Sequence, residues 1–332
     1  MEASPGAALI GLIALAFIFD FLNGLHDAAN SIATIVSTRV MPPRLAVFWA
    51  AFFNFIAFAI FGLHVAQTIG TGIIAPGIVD LHLIFGALTG AITWNVITWL
   101  AAIPSSSSHA LIGGLLGAGI AKAGIGAVVW KGTLLTIAAI VLSPLLGFAL
   151  ALLLVLATSW SFAKYTPRAV QHMFRRAQFG SAALYSLGHG GNDAQKTMGI
   201  IAVLLYSQGA LRSSFYVPFW VILACNGAMA LGTLAGGWRI VKTMGGRITN
   251  LNPMQGSCAE TGGALTLFLA TFLGIPVSTT HTISGAIAGV GAARRVSAVR
   301  WNVAGSIVIA WVLTLPASAL IAAAAYFLAP LG

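Results

Sequence analysis

Charge is what this sequence has least of. Only 7% of its 332 residues are charged, and six of them are Asp or Glu. A soluble domain covers its surface with roughly 25% charged residues. The scarcity excludes a free-standing globule in water and turns the outer surface towards lipid. Cysteine is almost absent: Cys225 and Cys258 stand in or beside apolar segments without metal-ligand neighbours, so packing is their expected role. The net charge of +10 is distributed by loop rather than by face, which argues against nucleic acid as a partner. No basic leader or small-residue cleavage site precedes the first polar cluster, so neither a signal peptide nor a soluble terminal domain is expected.

Long apolar runs are what the chain does have, at 45–65, 84–103, 133–157, 215–237 and 303–328. Each is near the roughly 20 residues a helix needs to cross the hydrocarbon core. The reading is an all-α polytopic membrane protein with ten segments: 7–38, 45–65, 82–102, 105–121, 133–157, 181–206, 214–237, 258–275, 277–292 and 303–328. The first and sixth are expected to be broken, and the short 105–121 and 277–292 could be re-entrant hairpins. Loops 39–44, 158–180, 238–250 and 293–300 hold 12 of the 16 Lys and Arg, against 3 in 122–132 and 207–213. Basic loops stay cytoplasmic, so both termini are expected outside.

The sequence repeats itself. "NGLHDAANSIAT" (23–34) aligns with "HGGNDAQKTMGI" (189–200), and "IPSSSSHALIGGLLGAG" (103–119) with "IPVSTTHTISGAIAGVG" (275–291). Trp130 then matches Trp301, and Pro144 matches Pro316. The expected organisation is a first membrane repeat, 1–157, a cytoplasmic basic linker, 158–180, and a second membrane repeat, 181–332. Five segments per repeat would invert the second half. Inverted repeats of this kind place a transporter's site at the repeat interface near the bilayer midplane.

Asp27 falls mid-segment, and its repeat mate Asp193 does too. An ionised Asp at a helix centre costs about 2.5–3.5 kcal/mol on insertion scales. Incurred twice at equivalent places, that cost points to an aqueous or ion-binding cavity rather than to helix glue. Asn30 and Asn192 add amides, while Gly24, Gly188, Gly190 and Gly191 would permit unwound helices. The second motif pair places Ser106, Ser107 and Ser108, and in the repeat Ser278, Thr279 and Thr280, behind Pro104 and Pro276 at expected helix starts. Hydroxyls and free N–H groups at two converging helix N-termini would cradle a tetrahedral oxyanion. The competing reading is N-caps and interhelical hydrogen bonds. His109 and His281 could orient the hydroxyls or carry protons. Gly113, Gly117, Gly285 and Gly289 suit close helix packing. Glu260 is a candidate coupling-ion ligand or proton carrier. Lys196, in Asn30's place, could pair with Asp193 or with Glu260, or attract the anion. Asp20 lies one turn from the expected break.

"NGLHDAAN" and "HGGNDAQK" resemble the paired signature of the inorganic phosphate transporter (PiT) family, and "IPSSSSH" and "IPVSTTH" its second paired motif. The resemblance runs from about residue 7 to residue 328. His26 before Asp27, Lys196 after Asp193, "QGSCAE" and "WVLTLP" (311–316) are closest to bacterial low-affinity members. It implies a symporter of inorganic phosphate in the cell membrane, without enzymatic activity or a cofactor, and compatible with a homodimer. Sodium-coupled members often carry a glutamate where this chain has Asn54, and Asn where it has Lys196; both departures favour protons over sodium. The implied roles are substrate binding by Asp27, Asn30, Ser106, Ser107, Ser108, Asn192, Asp193, Ser278, Thr279 and Thr280, and ion or proton coupling by Asp27, Asp193, Lys196, Glu260, His109 and His281. Resembling proteins carry neutral metal–phosphate complexes, for which Asp27 and Asp193 would hold the divalent metal. Sulfate symport, sodium coupling, a passive anion channel and a nutrient-sensing receptor are the alternatives.

Overall fold

The computed structural model describes residues 5–211 and 214–329, without the Pro5 and Lys242 side chains. Twelve α-helices run through these residues: α1 (Pro5–Ser37), α2 (Pro43–Ile56), α3 (His64–Thr71), α4 (Leu81–Leu100), α5 (Ser107–Ala123), α6 (Trp130–Ser161), α7 (Pro167–Ser207), α8 (Phe219–Ala235), α9 (Trp238–Gly246), α10 (Pro253–Phe272), α11 (Thr279–Arg294) and α12 (Trp301–Phe327). Among the described residues the only extended pairing is an isolated bridge between Ile74 and Val128. The all-helical reading stands.

Four helices, α1, α4, α6 and α12, are long and apolar enough to cross a membrane alone, and the bent pairs α2–α3 and α8–α9 bring the number to six. Of the other expected segments, α5 and α11 are short, at 17 and 16 residues, and α7 and α10 carry polar and small residues turned inward, which lowers their hydropathy without exposing them. Leu142, Leu145 and Leu153 on α6, and Ile309, Val312 and Leu320 on α12, face outward. Aliphatic side chains in such a row belong against lipid.

The breaks lie elsewhere than expected. α1 and α7 are continuous over 33 and 41 residues, and the chain bends between α2 and α3, by 81°, and between α8 and α9. The glycines of α1 and α7 serve close approach instead of unwinding. A Cβ on Gly24 would run into the Met229 carbonyl, and one on Gly190 into the Asn54 backbone. The expected linker 158–180 also differs, because only 162–166 lies outside a helix. Thr166 caps α7, its Oγ1 accepting from the Ala169 N–H, and Pro167 takes the first turn, where its missing N–H costs nothing. A helix can carry Arg168, Arg175 and Arg176 beyond the bilayer, so polarity alone did not mark a loop.

The motif repeat extends to whole elements. α4 and α10 are both 20 residues long and lie 172 positions apart at each end. Each turns into a hairpin in the same way: the Ile103 N–H donates to Thr98 O and the Ile275 N–H to Ala270 O, around Ala102 (φ 55) and Gly274 (φ 69). α5 and α11 follow as the returning arms. Each hairpin takes its third helix from the other half of the chain: α12 packs on α4 and α5, and α6 on α10 and α11. The glycine spacing explains the fit. Cβ atoms on Gly113 and Gly117 would meet backbone atoms of Leu315 and Ala319, and on Gly285 and Gly289 those of Pro144 and Phe148. α1 and α7 pack together between the two hairpins.

Candidate functional site

Both hairpin tips end at α1 and α7, where the buried Asp27 and Asp193 sit. The second tip reaches both carboxylates. Thr279 Oγ1 donates to Asp193 Oδ2 at 3.0 Å, and Thr280 Oγ1 to Asp27 Oδ1 at 3.3 Å. Asn30 Nδ2 donates to the same two hydroxyls, at 3.2 and 2.9 Å. The first tip reaches the site through Ser108, whose Oγ accepts from Lys196 Nζ at 2.5 Å. Lys196 also donates to the Val277 carbonyl at 2.7 Å and forms an ion pair with Asp193. Of the partners foreseen for it, Asp193 is the one it takes.

The other expected residues divide by what holds them. Ser106 and Ser278 are N-caps, each accepting at 3.2 Å from the N–H three residues on. Pro104 and Pro276 lie in the tips, three residues before the first helical residue, and not at the helix starts expected for them. Asn192 pins the second tip: its Nδ2 donates to Thr271 Oγ1 and Ile275 O, and its Oδ1 accepts from the Val277 N–H. Ser107 Oγ is buried with no partner among the described residues. The His109 and His281 rings meet edge to face at 4.3 Å where the two arms begin, and among the described residues no ring nitrogen has a partner in good hydrogen-bond geometry. His281 stacks on Trp311 at 3.7 Å.

Glu260 stands apart with its own partners. It accepts from Thr34 Oγ1 at 2.6 Å, Gln178 Nε2 at 2.9 Å and Ser181 Oγ at 2.5 Å, and is fully buried. Three donors on one carboxylate offset much of the cost of taking it out of water.

Sequence reasoning missed His189. Its Nε2 lies 3.3 Å from Asp193 Oδ2, and its Nδ1 lies 3.2 Å from both Asn54 Oδ1 and Ser31 Oγ. With the Nδ1 proton donated to Asn54, Nε2 presents a lone pair, the arrangement that a metal-bound histidine uses. Asp27, His189 and Asp193 each place one ligand atom within 4.8 Å of the others. His26, noted only as a mark of the resemblance, was given no role. Its Nδ1 is 2.9 Å from Asp27 Oδ1, and its Nε2 faces Ser105 and Thr98. Both histidines stand inside the aligned repeat strings, so the signal was present as a His within four residues of each Asp.

The cluster therefore joins two carboxylates, one ammonium group, two histidines and a set of hydroxyls, all shielded from solvent. It can hold a cation between the carboxylates and an oxyanion on the hydroxyls and ammonium. Comparison with known proteins agrees with this chemistry. Residues 23–322 match the phosphate transporter family. A Rhizobium meliloti protein named "Probable low-affinity inorganic phosphate transporter" is 73% identical over 97% of each chain, and a Bacillus subtilis protein of the same name is 46% identical over 96% of each. The solved structure titled "The sodium-dependent phosphate transporter" superposes with a TM-score of 0.90 at 30% identity, covering 97% of this chain and 98% of that one. This chain belongs to the phosphate transporter family, as a multi-pass membrane transporter and not an enzyme.

Proposed function

We propose that the protein is a secondary active symporter that carries inorganic phosphate together with protons across the cell membrane. The reading rests on one feature of the site. The donors suited to phosphate, Thr279, Thr280 and Lys196, already donate to Asp193 and Asp27. Phosphate can take those donors only if the carboxylates are neutralised, because a buried anion beside two unneutralised carboxylates is strongly disfavoured. Cation and anion must then be loaded together, which is the physical content of symport. A passive anion channel has no use for two buried carboxylates in its path.

Substrate contacts fall to Asn30, Ser107, Ser108, Lys196, Thr279 and Thr280. Asp27 and Asp193 accept the cation, and Ser106, Ser278 and Asn192 hold the tips that present the hydroxyls. Residues 1–157 and 181–332 act as inverted repeats that exchange access around this point, with both termini outside. Uptake of labelled phosphate and sulfate into proteoliposomes, under an imposed proton or sodium gradient, tests the reading. Proton-driven phosphate accumulation is the expected result; sulfate uptake or a sodium requirement would move the assignment to a neighbouring transport class.

A second reading concerns the form of the substrate. His189, Asp27 and Asp193 make a mixed nitrogen and oxygen set that suits a divalent metal. A neutral metal–phosphate complex would neutralise the carboxylates and supply the anion in one step. His189→Gln is then expected to abolish any stimulation of uptake by divalent metal while metal-free uptake persists.

A further inference from the structure

Asp20 stands two helical turns before Asp27 on α1, about 10 Å away along the axis. It is fully buried. Among the described residues neither of its carboxyl oxygens has a partner in good hydrogen-bond geometry, and the same holds for Asn23 Oδ1 and Thr197 Oγ1. Asn23, Thr197 and Cys225 surround the carboxyl, and the titratable groups facing it are Cys225 from α8 and Asp193 from α7. Asp193 is committed to Lys196 and Thr279. No cation is left to pair with Asp20 among the described residues around it.

Four unpaired oxygens in one buried spot are costly, because each lost hydrogen bond leaves a desolvated acceptor. The donors around them, the Asn23 amide, the Thr197 hydroxyl and the weak Cys225 thiol, are all neutral, and none supplies the positive charge that a buried carboxylate needs. A proton on Asp20 removes the carboxylate's charge. A protonated Asp20 donates its O–H to Asn23 Oδ1, and the Thr197 hydroxyl donates to the remaining carboxyl oxygen. The repeat sharpens the point. In the register that aligns Asp27 with Asp193, Asp20, Asn23 and Thr197 fall on Ser186, His189 and Ser31. There the Ser186 hydroxyl donates to Ala182 O at 2.8 Å, and His189 lies within 3.2 Å of Ser31 and Asn54. The second copy has no carboxylate at this place, so the uncompensated carboxylate belongs to the first copy alone.

We propose that Asp20, with Asn23 and Thr197, is a proton-binding site distinct from the Asp27–Asp193 cluster, and that it carries a coupling proton. The step is balanced: Asp20 takes a proton from the outer side, forming a neutral carboxyl, and returns it as a carboxylate on the cytoplasmic side. This rests on the symport reading above, and the test separates the two. Full-length protein is reconstituted, and two quantities are measured in the same vesicles: phosphate–phosphate exchange without a gradient, and accumulation under a pH gradient. A gradient of about one unit supports about tenfold accumulation for each proton carried. Wild type is expected to accumulate phosphate, whereas Asp20→Asn exchanges phosphate but only equilibrates it. Retained accumulation in Asp20→Asn overturns the proposal. So does loss of exchange and accumulation together in a variant that elutes as folded protein, since Asp20 would then serve the phosphate path. If Asp20→Asn does not fold, Thr197→Val takes its place; the pH midpoint of uptake should shift with exchange intact, and an unshifted midpoint overturns the proposal. Wild-type accumulation that follows a sodium gradient and ignores pH would overturn it too. Absence of phosphate exchange in wild type would sink the phosphate reading instead.

Discussion

At the first hairpin tip Ala102 turns the chain at φ 55, and Ser108 meets Lys196; at the second, Gly274 turns it at φ 69, and Thr279 and Thr280 reach both carboxylates. The backbone is duplicated, but the chemistry is not. Around Asp193 there is a lysine; around Asp27, in the same register, Asn30 takes its place. The Glu260 pocket differs still more. By the same repeat registers its counterpart is Leu88, and Thr34, Gln178 and Ser181 correspond to Ile200, Leu12 and Leu15. Those residues belong to an apolar cluster, with Leu15 packed at its edge. Duplication supplies two helix ends and two carboxylates at one point. The departures from symmetry then give each half its own charge balance, which a carrier needs if one half is to bind the cation more tightly than the other.

The largest effect is expected at the carboxylates. Asp27→Asn and Asp193→Asn should each abolish proton-driven phosphate uptake while leaving membrane insertion intact. Their stabilities should differ, because Asp193→Asn leaves Lys196 buried and unpaired. Breaking a buried pair costs about 3–5 kcal/mol. Adding Lys196→Asn, which copies the first half's amide, should restore thermal stability without restoring uptake. If the single and double variants melt alike, the ion pair is not what separates the two halves.

Glu260→Leu copies the apolar counterpart and should strand three donors, at about 1–3 kcal/mol each. Glu260→Gln keeps the shape and should melt nearer to wild type. Reduced uptake in Glu260→Gln would add Glu260 to the coupling path; unchanged uptake would make it structural.

Between the tips, Thr279→Ala is expected to weaken phosphate binding more than Ser107→Ala. Losing a hydrogen bond to a charged group costs about 1.5–3 kcal/mol, and Thr279 also orders Asn30 and Asp193. Equal effects on apparent affinity would mean that the tips contribute alike. The smallest effect should come from the turn itself: Gly274→Ala places a side chain in the left-handed region at about 1–2 kcal/mol, measured as a lower melting temperature with affinity unchanged. Inversion of the halves has its own check. Cysteines at Gly126 and Gln208, in a background without Cys225 and Cys258, should label from outside with an impermeant thiol reagent, and those at Pro43 and Ala298 should not.

Much of this was legible in the residues. The two motif pairs, with Asp27, Asp193, Thr279 and Thr280, identified the meeting point, because buried charge and repeated hydroxyls are rare in apolar sequence. Helix continuity was not legible: glycine reads alike whether it frees a backbone or lets one approach, and only the facing Met229 and Asn54 backbones distinguish the two. Polarity misled at 158–180 for a related reason, since a capped helix continues into water. The exchange of α6 and α12 between hairpins is a long-range choice that no local pattern encodes. His189 needed its partners, Asn54 and Asp193, before its role could be read.

The central claim is that the two carboxylates hold the phosphate donors until a cation neutralises them. Phosphate binding to purified wild type and to the Asp27→Asn/Asp193→Asn double variant, measured across pH, addresses it most directly. The ligand's own titration is common to both proteins and cancels in the difference. The account predicts that wild-type affinity rises relative to the variant as pH falls, because protonation of the carboxylates releases Thr279, Thr280 and Lys196. The same pH dependence in both proteins would contradict it.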